Sequence, residues 1–117
     1  MPLVKIQSTI EVTDEVLQST SDIVKDITGK PDWAIMVTAN CGGRFCMNRE
    51  TGEGAFIDVR GVGGLDKNTN SEISKQVSTL LSEKLDIDSS RIYFNFTNYE
   101  GSFWGHGGVN GFGAGTF

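Results

Sequence analysis

The feature that most constrains this chain is a repeated pattern. A short alternating strand, a helix with one apolar stripe and a second apolar strand occur once in each half, in the same order. In the first half, Val4 and Ile6 alternate with Lys5 and Gln7 over residues 3–8. Thr13-Asp14-Glu15 then supplies a hydroxyl cap and two acids suited to a helix N-terminus. Val16, Leu17, Thr20, Ile23, Val24 and Ile27 recur at helical spacing, and Gly29 with Pro31 ends the helix. Residues 33–39 are an apolar, β-prone run. In the second half, residues 55–60 place Ala55, Ile57 and Val59 on one face and Phe56, Asp58 and Arg60 on the other. Gly61-Val62-Gly63-Gly64 is a turn. Thr69-x-x-Glu72 has the spacing of a capping box, and Ile73, Val77, Leu80, Leu81 and Leu85 form the second helical stripe. Residues 91–97 alternate Ile92, Phe94 and Phe96 against Tyr93, Asn95 and Thr97.

The segment that starts at Lys30 matches in pattern the one that starts at Asp88, 58 residues later, and the helix starts near Asp14 and Asn70 are 56 apart. The expectation is one α+β domain over residues 1–117, a two-layer sandwich of two βαβ units. The pseudo-repeats span about 1–54 and 55–100, followed by a Gly-rich tail at 101–117. Each unit should pair its strands in parallel through a right-handed crossover. A four-stranded sheet would then carry both helices on one face. The other face would be bare, and strands this apolar call for a cover from another copy of the chain. Residues 40–54, with four glycines and both cysteines, read as a loop with one turn of helix at most.

Composition narrows the function classes. A net charge of −5 disfavours a phosphate backbone as partner. No run approaches the roughly 18 apolar residues of a membrane span, and Gln7 and Ser8 interrupt any signal-peptide core, so a cytoplasmic protein with no membrane or nucleic-acid partner is expected. Cys41 and Cys46 are not spaced as a Cys-x-x-Cys redox pair and read as free thiols. The alternative, a metal site of Cys41, Cys46 and His106, lacks a fourth ligand and zinc-finger spacing, and neither metal nor cofactor is expected. There is no P-loop, and the Gly61 turn lacks the third glycine of a dinucleotide fingerprint. His106, in a Gly-rich tail, is a poor triad base. Asn95-Phe96-Thr97 fits a glycosylation sequon but lies on a strand of a chain with no secretory signal.

One of the two prolines is residue 2. Removal of Met1 would make Pro2 the N-terminus, a secondary amine fixed in a ring. An α-amino group titrates at about 7.7–8.0, and apolar burial or a nearby cation lowers that value. Such an amine, followed directly by a strand, is a rigidly placed general base at neutral pH.

Met1-Pro2, the βαβ repeat, Thr28-Gly29-Lys30-Pro31, Val62-Gly63-Gly64, the Arg91-Ile92-Tyr93-Phe94-Asn95 strand and the terminal Gly115-Thr116-Phe117 stand in one order along the whole chain. In this the chain resembles the macrophage migration inhibitory factor family of the tautomerase superfamily. The resemblance implies a homotrimer whose wrapped sheets enclose the bare faces. It also implies keto–enol tautomerase activity on small α-keto acids such as phenylpyruvate, without a cofactor. By the same resemblance Pro2 shuttles the proton, Lys30 binds the substrate carboxylate, and Val62 offers its backbone N–H. Tyr93 and Asn95 would come from the neighbouring subunit, and Phe112 would sit at the pocket mouth. Taken alone, Lys30 complements the dipole at the end of the first helix, Tyr93 fits a core and Asn95 an edge. A signalling or binding protein with an unused pocket is the alternative. Two departures stand out. The family's Cys-x-x-Cys falls at residues 54–57, which hold no cysteine, and Ala34 replaces a pocket aromatic.

Overall fold

The computed structural model describes residues 2–110. Strand β1 (Pro2–Ser8) leads to helix α1 (Asp14–Thr28), then to β2 (Met36–Cys41). A hairpin of β3 (Phe45–Met47) and β4 (Glu50–Gly52) separates this unit from β5 (Ala55–Gly61), α2 (Lys67–Leu85) and β6 (Ile92–Asn98). The described part ends in a two-residue ribbon, β7 (Gly105–His106) with β8 (Val109–Asn110). The expected parallel pairs form, β1 with β2 and β5 with β6, and the two units join antiparallel through β1 and β5 in the order β2-β1-β5-β6. The repeat extends further than the sequence suggested. A 3-10 turn precedes the second strand of each unit (Asp32–Ala34 and Ser89–Arg91), and a small antiparallel ribbon follows each.

Helix α1 starts and stops where its residues dictate. Thr13 accepts a hydrogen bond from the Val16 N–H at 3.3 Å. Gly29 ends the helix at φ 71°, a left-handed conformation that suits glycine, with its N–H donated to the Lys25 carbonyl. Helix α2 begins before the expected capping box. Asp66, not Thr69, is the cap, and its carboxylate accepts from the Thr69 N–H at 2.8 Å. Aspartate caps as well as a hydroxyl does and stands nearer the turn that feeds the helix.

The apolar stripes do what their spacing predicts. Val4 and Ile6, Ala55, Ile57 and Val59, and Ile92 pack with Val16, Val24, Ile73, Val77, Leu81 and Leu85 into one core between sheet and helices. Three expectations need correction. Trp33 and Ala34 lie in a 3-10 turn, so β2 starts at Met36 and runs to Cys41. The 40–54 segment is no plain loop, because Asn48 and Arg49 take φ 53° and 63° and close the β3–β4 hairpin as a two-residue turn. Arg91 ties that hairpin down, donating to the Glu53 and Glu50 carbonyls at 2.7 and 3.0 Å with its guanidinium 5.0 Å from the Phe45 ring centroid. The free sheet face is also more polar than expected. Lys5, Gln7, Thr38, Asn40, Asp58, Arg60, Asn95 and Thr97 alternate there with Leu3, Met36, Phe56 and Tyr93. Leu3 is buried, and the other three apolar residues of that set are the exposed ones.

Candidate active site

Pro2 is buried at the start of β1, a position that tolerates a residue without a backbone N–H. Its register partner is Gly61, at the end of β5. A cavity of about 200 Å³ opens there, lined by Pro2, Thr28, Lys30, Gly61, Gly63, Gly64 and Leu65. Two sequence features far apart in the chain thus meet, the Thr28-Gly29-Lys30 end of α1 and the glycine-rich turn after β5. Lys30 is the one cation among these lining residues, and none of them is acidic. Thr28 holds the approach to Lys30. Its Oγ1 donates to the Val24 carbonyl at 2.7 Å and accepts from the Lys30 N–H at 3.3 Å.

Val62 is placed beside this pocket rather than in its wall. Its side chain is buried with Ala34 and Trp104, while its neighbours Gly61, Gly63 and Gly64 form the lining. Gly63 and Gly64 have φ 72° and 81°, which a side chain rarely adopts, so the turn needs glycine there. Trp104 packs against Ala34 and Val62 and lies 5.7 Å from the Tyr99 ring. Trp33 is exposed and stands 6.3 Å from the His106 ring.

Tyr93 and Asn95 do not join Pro2 within one chain. They lie on the free face of the sheet, whereas Pro2 shares the face of Val4 and the helices. Register places Asn95 three residues before Asn98, the β6 partner of Gly61. At about 3.3 Å per residue and 4.8 Å per strand, the backbone separation from Pro2 is roughly 14 Å for Asn95 and roughly 19 Å for Tyr93. The Asn95 Nδ2 donates to Asp58 Oδ1 at 3.1 Å, and Arg60 Nη2 grips the other oxygen, Oδ2, at 2.8 Å. Phe112 lies outside the described residues.

A larger cavity, about 480 Å³, borders the β3–β4 hairpin and is lined by Thr9, Arg44, Phe45, Cys46, Glu53 and their neighbours. It lies away from Pro2 and contains no paired acid and base of the kind catalysis needs. Cys41 and Cys46 are free and exposed, and among the described residues no three metal-binding side chains come together, so the Cys41–Cys46–His106 alternative has no geometry behind it. No helix among them is long and apolar enough to cross a membrane.

Of the lining residues, Thr28 and Leu65 carry no chemical signature that marks them as pocket wall from sequence. Thr28 stood within a motif, and Leu65 became visible only when the turn folded over Pro2.

Comparison with known proteins gives the family of the chain. Residues 1–111 match the family model of macrophage migration inhibitory factor. A macrophage migration inhibitory factor homologue of Trichinella spiralis is 30% identical over 112 residues, 93% of this chain and 98% of the relative. Among solved structures, the macrophage migration inhibitory factor of Toxoplasma gondii superposes with a TM-score of 0.88 at 28% identity, covering 92% of this chain and 98% of its own. Pt0534, solved after inactivation by 2-oxo-3-pentynoate, shares the fold at a TM-score of 0.79 and 20% identity, over 97% of each chain. With the family model matched over residues 1–111 and a relative 30% identical along nearly its whole length, the chain belongs to the macrophage migration inhibitory factor family.

Proposed function

We propose that this protein is a keto–enol tautomerase for small α-keto acids, phenylpyruvate among them, with the amine of Pro2 as general acid and base after loss of Met1. The observation that carries the reading is the convergence of Pro2, Lys30 and the 61–65 turn on one cavity of about 200 Å³. In the keto-to-enol direction, the neutral Pro2 nitrogen takes a proton from C3 of the substrate. The electron pair left behind forms the C2–C3 double bond, and the carbonyl pair moves onto oxygen. The Pro2 ammonium then returns the proton to that oxygen, so no oxidant, metal or cofactor is consumed. The Lys30 ammonium holds the substrate carboxylate and disfavours a charged Pro2 before the reaction. The backbone N–H of Val62 is assigned to the same carboxylate.

The proposed assembly is a homotrimer in the cytoplasm. It accounts for Tyr93 and Asn95, which stand too far from their own Pro2 and on the wrong sheet face. A neighbouring chain would supply them to complete the far end of the pocket, and Met36, Phe56 and Tyr93 would lose their exposure. Phe112 is assigned to the pocket mouth. That Pt0534, a protein of the same fold, was inactivated by an α-keto acid makes 2-oxo-3-pentynoate a natural covalent probe of Pro2 here.

The test begins with intact mass, which reports whether Met1 is absent. Enol–keto exchange of phenylpyruvate is then followed in the processed protein and in Pro2→Gly. General acid–base catalysis contributes about 10²–10⁴-fold, and a loss of that size is expected with the oligomer unchanged in sedimentation. Wild-type turnover by Pro2→Gly refutes the mechanism. An inactive, correctly processed wild type turns the reading to a binding or signalling protein that keeps the pocket without using it.

A further inference from the structure

The wall of the Pro2 pocket is built mainly from one glycine-rich turn. Gly61, Gly63, Gly64 and Leu65 all line it. Glycines at positive φ allow that turn its shape but give it no stiffness, since glycine restricts backbone rotation least of all residues. Something outside the turn must fix it.

The fixing contacts come from the end of β6. The side-chain amide of Asn98 grips the backbone of Leu65 twice: Oδ1 accepts from the Leu65 N–H at 3.2 Å, and Nδ2 donates to the Leu65 carbonyl at 2.9 Å. The next residue, Tyr99, donates its N–H to the Gly61 carbonyl at 2.7 Å. Both ends of the turn are therefore tied to the Asn98-Tyr99 dipeptide, and only residues 62–64 between them lack such a tether from β6. Tyr99 also meets Trp104, which packs on Val62. A primary amide carries a donor and an acceptor side by side at any pH, and so can match the N–H and C=O of a single residue.

We propose that Asn98 is a positioning residue for anion binding in the Pro2 pocket, holding the 61–65 turn at a fixed separation from Lys30 so that a substrate carboxylate meets an ordered backbone wall. Asn98 does not itself line the cavity and does not take part in proton transfer. Its effect falls on binding, because a wall ordered beforehand spares the ligand the cost of ordering it. The inference rests on the proposed α-keto acid reading for the nature of the ligand, but not on turnover.

The test compares wild type, Asn98→Ala and Asn98→Asp by calorimetry with phenylpyruvate and with its methyl ester, beside the exchange assay. Asn98→Ala is expected to weaken phenylpyruvate binding on the order of tenfold, equivalent to about 1.4 kcal/mol. It should raise KM by a similar factor, leave the pH profile of kcat in place, and change ester binding little. Asn98→Asp keeps the acceptor for the Leu65 N–H but sets a carboxylate against the Leu65 carbonyl, so it should fall between. Equal affinity in wild type and Asn98→Ala overturns the proposal. So does an equal loss for acid and ester, which would mark a general loosening of the fold. A wild type that binds phenylpyruvate without converting it refutes the catalytic reading and leaves the Asn98 comparison decisive. A wild type that does not bind it refutes both.

Discussion

Ile57 is the residue on which the two halves of this fold lean together. It is fully buried in β5, opposite Ile6 of the first unit and Phe94 of its own, and belongs to the core that α1 and α2 cover. Ile57→Ala removes three carbons from that position. At about 0.8 kcal/mol per buried methylene the transfer loss is about 2.4 kcal/mol. Neighbours on both adjoining strands and on the helix side restrict collapse into the gap, so a cavity penalty adds to it, and the expected total is about 3.5 kcal/mol. With a urea dependence of about 1.5–2 kcal/mol per molar for a chain of this size, the unfolding midpoint should fall by about 2 M. Ile57→Val, which removes one carbon, should cost about 1 kcal/mol. Both are measured by far-UV circular dichroism at several protein concentrations, because an oligomer makes the midpoint concentration-dependent. A loss below about 1.5 kcal/mol for Ile57→Ala, at unchanged urea dependence, would refute the packing argument.

Two further outcomes are expected. A Cβ on Gly54 would run into the Phe45 ring that Arg91 holds in place, so Gly54→Ala should displace the β3–β4 hairpin, cost about 1–3 kcal/mol, and speed tryptic cleavage at Arg44 or Arg49; unchanged cleavage argues against that packing. The Asp66 carboxyl is held below the ordinary aspartate value of 3.8, first by the backbone N–H of Thr69 and then by its hydroxyl, and Asp88 is held low in the same way by Ser90. A depressed folded value means the contribution is complete above 3.8 and disappears as pH falls through the folded value. Asp66→Asn keeps a cap that does not titrate, so its urea midpoint should fall less than that of wild type between pH 6 and pH 3. Parallel curves would show that the cap charge carries no stability.

The open sheet face bears on assembly in a more specific way than apolar composition suggested. Its charges are largely organised within the chain, as in the Arg60–Asp58–Asn95 chain of contacts, while Met36, Phe56 and Tyr93 remain exposed among them. A partner copy fitted to this face must therefore meet a patterned surface rather than a uniform apolar one. Such a surface sets register between copies better than it drives their association.

Much of the architecture was legible because periodicity is local. The 2-residue and 3.6-residue spacings mark which residues must leave water, and they mark it before any contact forms. Hence β1, α1, β5, α2 and β6, the parallel pairing in each unit and the duplicated plan all stand in the sequence. Pro2 stands out there too as a candidate, because its chemistry is that of a single residue. Features that depend on backbone conformation were not legible. The Asn48-Arg49 hairpin lacks the glycine that usually marks such a turn, and its hold on the fold comes from Arg91, 41 residues beyond Glu50. The choice of Asp66 over Thr69 as cap was a competition between two adequate residues, decided by where the preceding turn delivers the chain. The site divides in the same manner. Sequence named Pro2 and Lys30 but gave no distance between them, because their meeting requires β1 to pair with β5 and α1 to end above that pair. Only the tertiary structure closed the pocket with Leu65, set Asn98 and Tyr99 as the ties on its glycine wall, and put Tyr93 and Asn95 beyond reach on the opposite face. Those outcomes follow from strand register and sheet twist, which arise between segments far apart in the chain and leave no periodic trace in either.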